Sequence, residues 1–224
     1  MATAVDVQVV LADGRDLRAV SSEVRRALAH GPVVLQGVEH LHGLLAGCDQ
    51  GNVIIEGNAG DYLGVLNAGA SIRVRGNAGS YLADNMTAGS VQVEGHAGYG
   101  VGAYCYGGIV VVHGNAGDFT AVMNKGADII VGGDVGDEVA TYMLAGDLVI
   151  LGDAGRNLGN YLIRGTIYVG GRWRSLGHNT REEELTTGDV QRLQEHLARA
   201  GLQGDPAGFK KIVRLSERPF YKSR

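Results

Sequence analysis

Residues 57–64 read Gly-Asn-Ala-Gly-Asp-Tyr-Leu-Gly, and residues 76–83, 19 positions on, read Gly-Asn-Ala-Gly-Ser-Tyr-Leu-Ala. The same spacing continues along the chain. Gly57, Gly76, Gly95, Gly114, Gly133, Gly152 and Gly171 stand 19 residues apart, with no insertion or deletion between them. Six of the seven open a Gly-x-Ala/Val-Gly tetrad. A fixed period of this length is the signature of a repeat architecture in which each unit buries its apolar face only by stacking on the next.

The residues around each anchor glycine show what the unit contains. Four positions upstream lie Val53, Ile72, Val91, Val110, Ile129, Leu148 and Ile167, and two upstream lie Ile55, Val74, Val93, Val112, Val131, Ile150 and Val169. Variable residues such as Arg73, Gln92 and Arg75 fall between and after them. Alternation of β-branched with variable residues marks a short strand with one buried face. Further columns follow the anchor: alanine or valine at the second position after it, apolar residues from Leu63 to Leu158 at the sixth, and only glycine or alanine, from Gly64 to Gly159, at the seventh. A second glycine, from Gly51 to Gly165, precedes each anchor by six or seven residues and is expected where the chain turns with positive φ. The expected fold is an all-β solenoid, a single-stranded β-helix of about seven 19-residue rungs, with small α-helical flanks at both ends. At ~4.8 Å per rung the rod would be on the order of 35 Å long.

The flanks divide the chain into an N-terminal strand–helix cap over 1–32, the β-helix over 33–174, and a C-terminal helix with a basic docking arm over 175–224. Residues 5–11 read as a strand. Asp16 reads as the N-cap of a helix that places Leu17, Val20, Val24 and Leu28 on one face. Val33-Val34-Leu35 followed by Gly37 reads as a degenerate first rung, one residue out of register. At the far end Trp173 occupies the alanine position and is expected to plug the core. Asp189 to Gly201 reads as a helix with Val190, Leu193 and Leu197 on one face and Gly201 as C-cap. The tail from Pro206 carries Lys210, Lys211, Arg214, Arg218, Lys222 and Arg224 against Glu217 alone, with Phe220 and Tyr221 among its apolar residues. It reads as an arm docking on a partner, as a simple solvated terminus, or as a strand closing its own chain.

Composition narrows the function. The chain of 224 residues carries 37 glycines but 3 prolines, and glycine does not recur at every third position, so it is neither collagen nor a Pro/Gly linker. A net charge of −4 argues against nucleic-acid binding. Cys48 and Cys105 fit no zinc or dithiol spacing and no disulfide framework. With no signal-like start and no long apolar run, a cytoplasmic protein without membrane association is expected.

Candidate chemistry is sparse. His30, His40 and His42 cluster near the first rung, but no carboxylate or cysteine spacing turns them into a metal site. Asn58, Asn77, His96, Asn115, Asp134 and Asp153 form a column that suggests a metal or phosphate ladder, yet Asn and Asp at corners are expected to bond their own turns. Asn67 and Asn124 read as turn or internal ladder residues. Tyr104, Tyr142 and Tyr161 share one position nine after the anchor and suggest a packing stripe. No nucleophile and base can be paired from spacing. No catalytic, cofactor-binding or metal-binding residue is therefore assigned.

The repeats at 57–64, 76–83 and 152–159 resemble the GXGXG domain, the β-helix at the C-terminal end of the large subunit of glutamate synthase. As a chain of this length with a C-terminal helix, the sequence is similar to the free-standing GXGXG subunit of N-methylglutamate synthase and related complexes. The resemblance implies a subunit without catalytic residues of its own and with no cofactor in this chain. It implies a hetero-oligomer with two partners, a class II glutamine amidotransferase-like subunit and an FMN-binding glutamate-synthase-like subunit that also carries an iron–sulfur cluster. The reaction implied is that of glutamate with methylamine to N-methylglutamate and ammonia. The β-helix subunits of formylmethanofuran dehydrogenase and of formyltransferase/hydrolase complexes share these rungs and offer an alternative. A further alternative is an autonomous transferase that uses the His30/His40/His42 region.

Overall fold

The computed structural model describes residues 7–217 and is an all-β solenoid with helical flanks. Strand β1 (Gln8–Leu11) leads through helix α1 (Leu17–Leu28) into β2 (Val33–Gln36). Seven rung strands follow: β3 (Asn52–Glu56), β4 (Ala68–Val74), β5 (Ala88–Val93), β6 (Ile109–Val112), β7 (Asp128–Val131), β8 (Asp147–Ile150) and β9 (Thr166–Val169). Strand β10 (Thr180–Glu183), helix α2 (Thr187–Ala200) and strand β11 (Lys210–Arg214) complete the chain. All eleven strands belong to one sheet, in the order β1 to β9, then β11, then β10.

Register follows the repeat. Val53 pairs with Ile72, Val91 with Val110, and Ile129 with Leu148. Val33 pairs with Val53, 20 residues on, so the first rung carries the one extra residue expected of it. A second ladder joins the alanine column through bridges such as Ala59 to Ala78 and Ala116 to Val135. The inward residues of both ladders, and the column from Leu63 to Leu158, are buried in one continuous core.

The anchor glycines do a different job from a left-handed turn. Of the seven, only Gly57 has φ in the positive region. The others stack, the amide of Gly114 donating to the carbonyl of Gly95 at 2.9 Å and that of Gly133 to Gly114 at 3.0 Å. A Cβ on Gly114 would lie 2.6 Å from His96 Nδ1 and 2.7 Å from the Gly95 oxygen. Close approach between rungs, not backbone conformation, demands glycine there.

Left-handed backbone falls elsewhere: at second glycines such as Gly51, Gly89, Gly108, Gly146 and Gly165, as expected, and at alternate positions five, seven and nine after the anchor. In the rung from Gly114 these are Phe119, Ala121 and Met123, with φ of 59°, 60° and 50°. The middle residue points inward: a Cβ on Gly102 would meet Ile129 Cδ1 at 2.5 Å. The glycine–alanine column is therefore small because it faces the rod's own interior. Its neighbours face outward and can be tyrosine, phenylalanine or methionine.

The corner column also departs from expectation. Its side chains bond the next rung rather than their own turns. Asn58 Oδ1 accepts the amide of Asn77 at 2.9 Å, Asn77 that of His96 at 2.8 Å, and Asp153 that of Arg172 at 2.7 Å. None of them has positive φ. Asn67 and Asn124 are buried, and each closes a loop of its own rung, as in Asn124 Nδ2 to the Ala127 carbonyl at 2.8 Å.

The two ends are covered by the flanks. Asp16 caps α1, accepting from the Ala19 amide at 2.9 Å, and the helix buries Val20 and Val24 against the core. At the other end β11 pairs antiparallel with both β9 and β10. Of the readings of the basic tail, closing strand describes Lys210–Arg214. Residues 218–224, with Arg218, Phe220, Tyr221, Lys222 and Arg224, lie outside the described residues, as do Val5 and Asp6. Trp173 is half-buried against the core, with Lys210 Nζ 5.1 Å from its ring centroid. Among the described residues no helix is long and apolar enough to cross a membrane.

Candidate functional site

Helix α2 brings ionisable side chains from distant segments together. Three positions before the anchor, the early rungs carry Ile54, Arg73 and Gln92, but the later ones carry Val111, Ile130, Val149 and Tyr168. These four are buried on the outer face of β6–β9, under Leu193, Leu197 and Ala200 of α2 and Phe209. Burying side chains of this size contributes about 1.5–3 kcal/mol each. The helix is fixed at its start by a capping box between Thr186 and Asp189. Asp189 also accepts from the Tyr168 hydroxyl at 2.7 Å and from Lys211 Nζ at 3.0 Å. Burial alone would raise the pKa of Asp189, but these partners and Thr186 hold it well below the usual carboxylate range. Burial, then the bond to Asp189, pushes the Tyr168 phenol up.

Two turns beyond Asp189, the same helix face carries His196 over the rung edge. Asp128 and Asp147 open β7 and β8 at equivalent positions, 19 residues apart, so the sheet stacks them one strand spacing apart. His196 Nε2 lies 3.0 Å from Asp147 Oδ2, and its Nδ1 lies 3.9 Å from Asp128 Oδ2. Ligand atoms of the three side chains all lie within 4.8 Å of one another. The His196 side chain is 6% exposed, Asp147 12% and Asp128 27%. Arg199 Nη1 reaches Asp128 Oδ2 at 3.0 Å, and Arg192 Nη1 reaches Asp147 Oδ2 at 3.7 Å.

The imidazole is held between two acids. A neutral ring has one donor and one acceptor nitrogen. If Nε2 donates to Asp147, the lone pair of Nδ1 faces the Asp128 carboxylate. His196 Nδ1 is buried without a hydrogen-bond partner. One imidazole and two carboxylates form a donor set suited to a divalent metal. The ring is poorly placed to act as a general base on a substrate, because it is buried and both nitrogens face carboxylates.

This triad corrects two expectations. The chain was expected to have no catalytic residue of its own and no cofactor-binding group. Asp128, Asp147 and His196 instead give it a cluster of metal-ligating type.

The histidines singled out from the sequence are not brought into that cluster. His40 Nε2 lies 2.9 Å from the Arg15 carbonyl, and His42 Nδ1 accepts the Asp61 amide at 3.0 Å. His42 thus serves the inter-rung ladder in which Asp61 accepts from Ser80. His30 is exposed just beyond α1. Among the described residues, Asp128, Asp147 and His196 are the only group of three such side chains with metal-site geometry.

Tyr62, Tyr81, Tyr104, Tyr142 and Tyr161 lie on the turn face. Tyr62 stacks on Tyr81 with centroids 4.7 Å apart, Tyr81 meets Tyr99 edge-on at 5.1 Å, and Tyr142 stacks on Tyr161 at 5.3 Å. Tyr62, Leu66, Tyr99, Tyr104, Tyr106 and Phe119 remain exposed.

Residues 106–203 match the family model described as "GXGXG motif". No curated protein matches the chain. The matched stretch contains β6–β9, helix α2 and all three residues of the triad, so the part of the chain that carries the site is the part similar to that family.

Proposed function

We propose that the chain is the β-helix subunit of a glutamate-synthase-like assembly of the N-methylglutamate synthase type. In this reading its partners are a class II glutamine amidotransferase-like subunit and an FMN-binding glutamate-synthase-like subunit. The assembly converts glutamate and methylamine to N-methylglutamate and ammonia. The GXGXG-type repeat over residues 106–203 carries the reading. The exposed aromatic stripe from Tyr62 to Phe119 supports it, since contiguous exposed apolar side chains on a rigid face mark protein interfaces.

The rod would hold its partners at a fixed spacing, a task for which stacked rungs with inter-rung bonds at every level are suited. Purification of the chain from its native cells, with mass spectrometry of stoichiometric companions, tests the reading. An amidotransferase and a flavoprotein are expected. Formyl-transfer enzymes as companions would move the chain to the other β-helix group, and a free monomer would remove the reading altogether.

A further inference from the structure

We propose that Asp128 and His196 Nδ1, with Asp147 holding the imidazole from Nε2, bind a divalent first-row transition-metal ion that clamps helix α2 to the rod. Their ligand atoms already lie within 4.8 Å of one another. Two come from adjacent rungs and the third from a helix 49 residues beyond Asp147 in sequence, so an ion there would tie the C-terminal cap to the solenoid. A second observation points the same way. Among the described residues, His196 Nδ1 is the only buried side-chain polar atom without a hydrogen-bond partner, and it faces the Asp128 carboxylate at 3.9 Å. A cation between His196 Nδ1 and the Asp128 carboxylate would answer the open lone pair, while Asp147, bonded to Nε2, holds the ring in place.

Access and charge are compatible with entry. Asp147 and Arg192 line a shallow open groove with Tyr106, Lys125 and Thr166. The guanidinium groups that now neutralise the acids belong to Arg192 and Arg199, whose side chains are 52% and 53% exposed. Both can swing into water when the ion arrives. The ligand chemistry selects the class of ion. Imidazole with carboxylates suits zinc, cobalt, manganese or iron, whereas calcium and magnesium prefer all-oxygen shells. Water would complete the coordination.

The test uses the full chain, stripped with chelator and titrated calorimetrically with Zn2+. Co2+ serves as a probe whose visible absorption reports the ligand field, and Mg2+ as the control. One Zn2+ site is expected, with a raised melting temperature and no response to Mg2+. Asp128→Asn, at the rim of the cluster, should weaken Zn2+ by at least about tenfold and abolish the Co2+ band. Arg199→Ala, which removes a competing positive charge, should tighten Zn2+ by about fivefold. No Zn2+ binding, equal binding by wild type and Asp128→Asn, or weaker binding by Arg199→Ala overturns the proposal. If Asp128→Asn fails to fold, the Arg199→Ala titration decides it alone.

Discussion

His96 Nδ1 accepts the backbone amide of Asn115, one rung on, at 2.9 Å. The bond repeats what Asn77 Oδ1 does for His96 and Asn115 Oδ1 does for Asp134. An imidazole nitrogen thus replaces an amide or carboxylate oxygen in the same ladder, and the residue needs no catalytic explanation. His96→Asn should leave stability within about 0.5 kcal/mol of wild type, whereas His96→Ala should cost about 0.5–1.5 kcal/mol. Denaturant melts of the two variants separate these outcomes.

Gly114 and Gly201 make opposite demands on a side chain. Gly114 has no positive φ but no room, with the Gly95 carbonyl oxygen 2.7 Å from where a Cβ would stand. Gly201 has φ of 67° as the C-cap of α2 and nothing within 4 Å. Gly114→Ala should destabilise by about 1–3 kcal/mol through overpacking. Gly201→Ala should cost about 1 kcal/mol through strain, and Gly201→Asn less, since asparagine tolerates that region. Equal losses for Ala and Asn at 201 would contradict the cap assignment.

Asp189 couples the docking of α2 to pH. Its folded pKa is held below the value of a free carboxyl, about 3.9. The stabilisation is therefore complete above about pH 4 and drains as pH falls through the lowered folded value. Asp189→Asn carries no such proton. The stability gap between wild type and Asp189→Asn should be widest near neutrality and should narrow below pH 4, as read from melting temperatures across that range.

Cys105 sits in the rod's interior column, fully buried, with Sγ 3.0 Å from the Ala83 carbonyl. Burial pushes its thiol up to about 12. At pH 8 the native chain should therefore resist iodoacetamide at Cys105, while Cys48, half-buried beside the first rung, reacts faster. Unfolding should equalise the two rates. Peptide mapping of a labelling time course reads both.

The rod was legible because every rung repeats the same physical constraint. Glycine columns, β-branched strands and apolar fillers recur at 19-residue intervals, and stacking turns each into a ladder. The purpose of the anchor glycines was not legible, because close approach and positive φ both select glycine. Only the backbone separates Gly114 from Gly102.

The triad was missed for a different reason. Asp128 and Asp147 are visible as consecutive acids in a column that otherwise reads Asn52, Ser71, Ser90, Ile109 and Thr166. His196 is visible as a polar residue in the stripe Leu193, Leu197, Ala200. What joins them is the packing of α2 across β6–β9, and its trace in the sequence is the change from Arg73 and Gln92 to Val111, Ile130 and Val149 on the outer face. That change marks where a helix must lie. It does not fix the rotation that sets His196 over the two acids.

In the proposed role this rod would assemble an amidotransferase-like and an FMN-binding glutamate-synthase-like subunit. The most direct measurement is N-methylglutamate formation from glutamate and methylamine by those two subunits, co-produced with and without this chain. Activity only when the chain is present, in a single particle containing all three, is the predicted result. Full activity of the two partners without it would contradict the account.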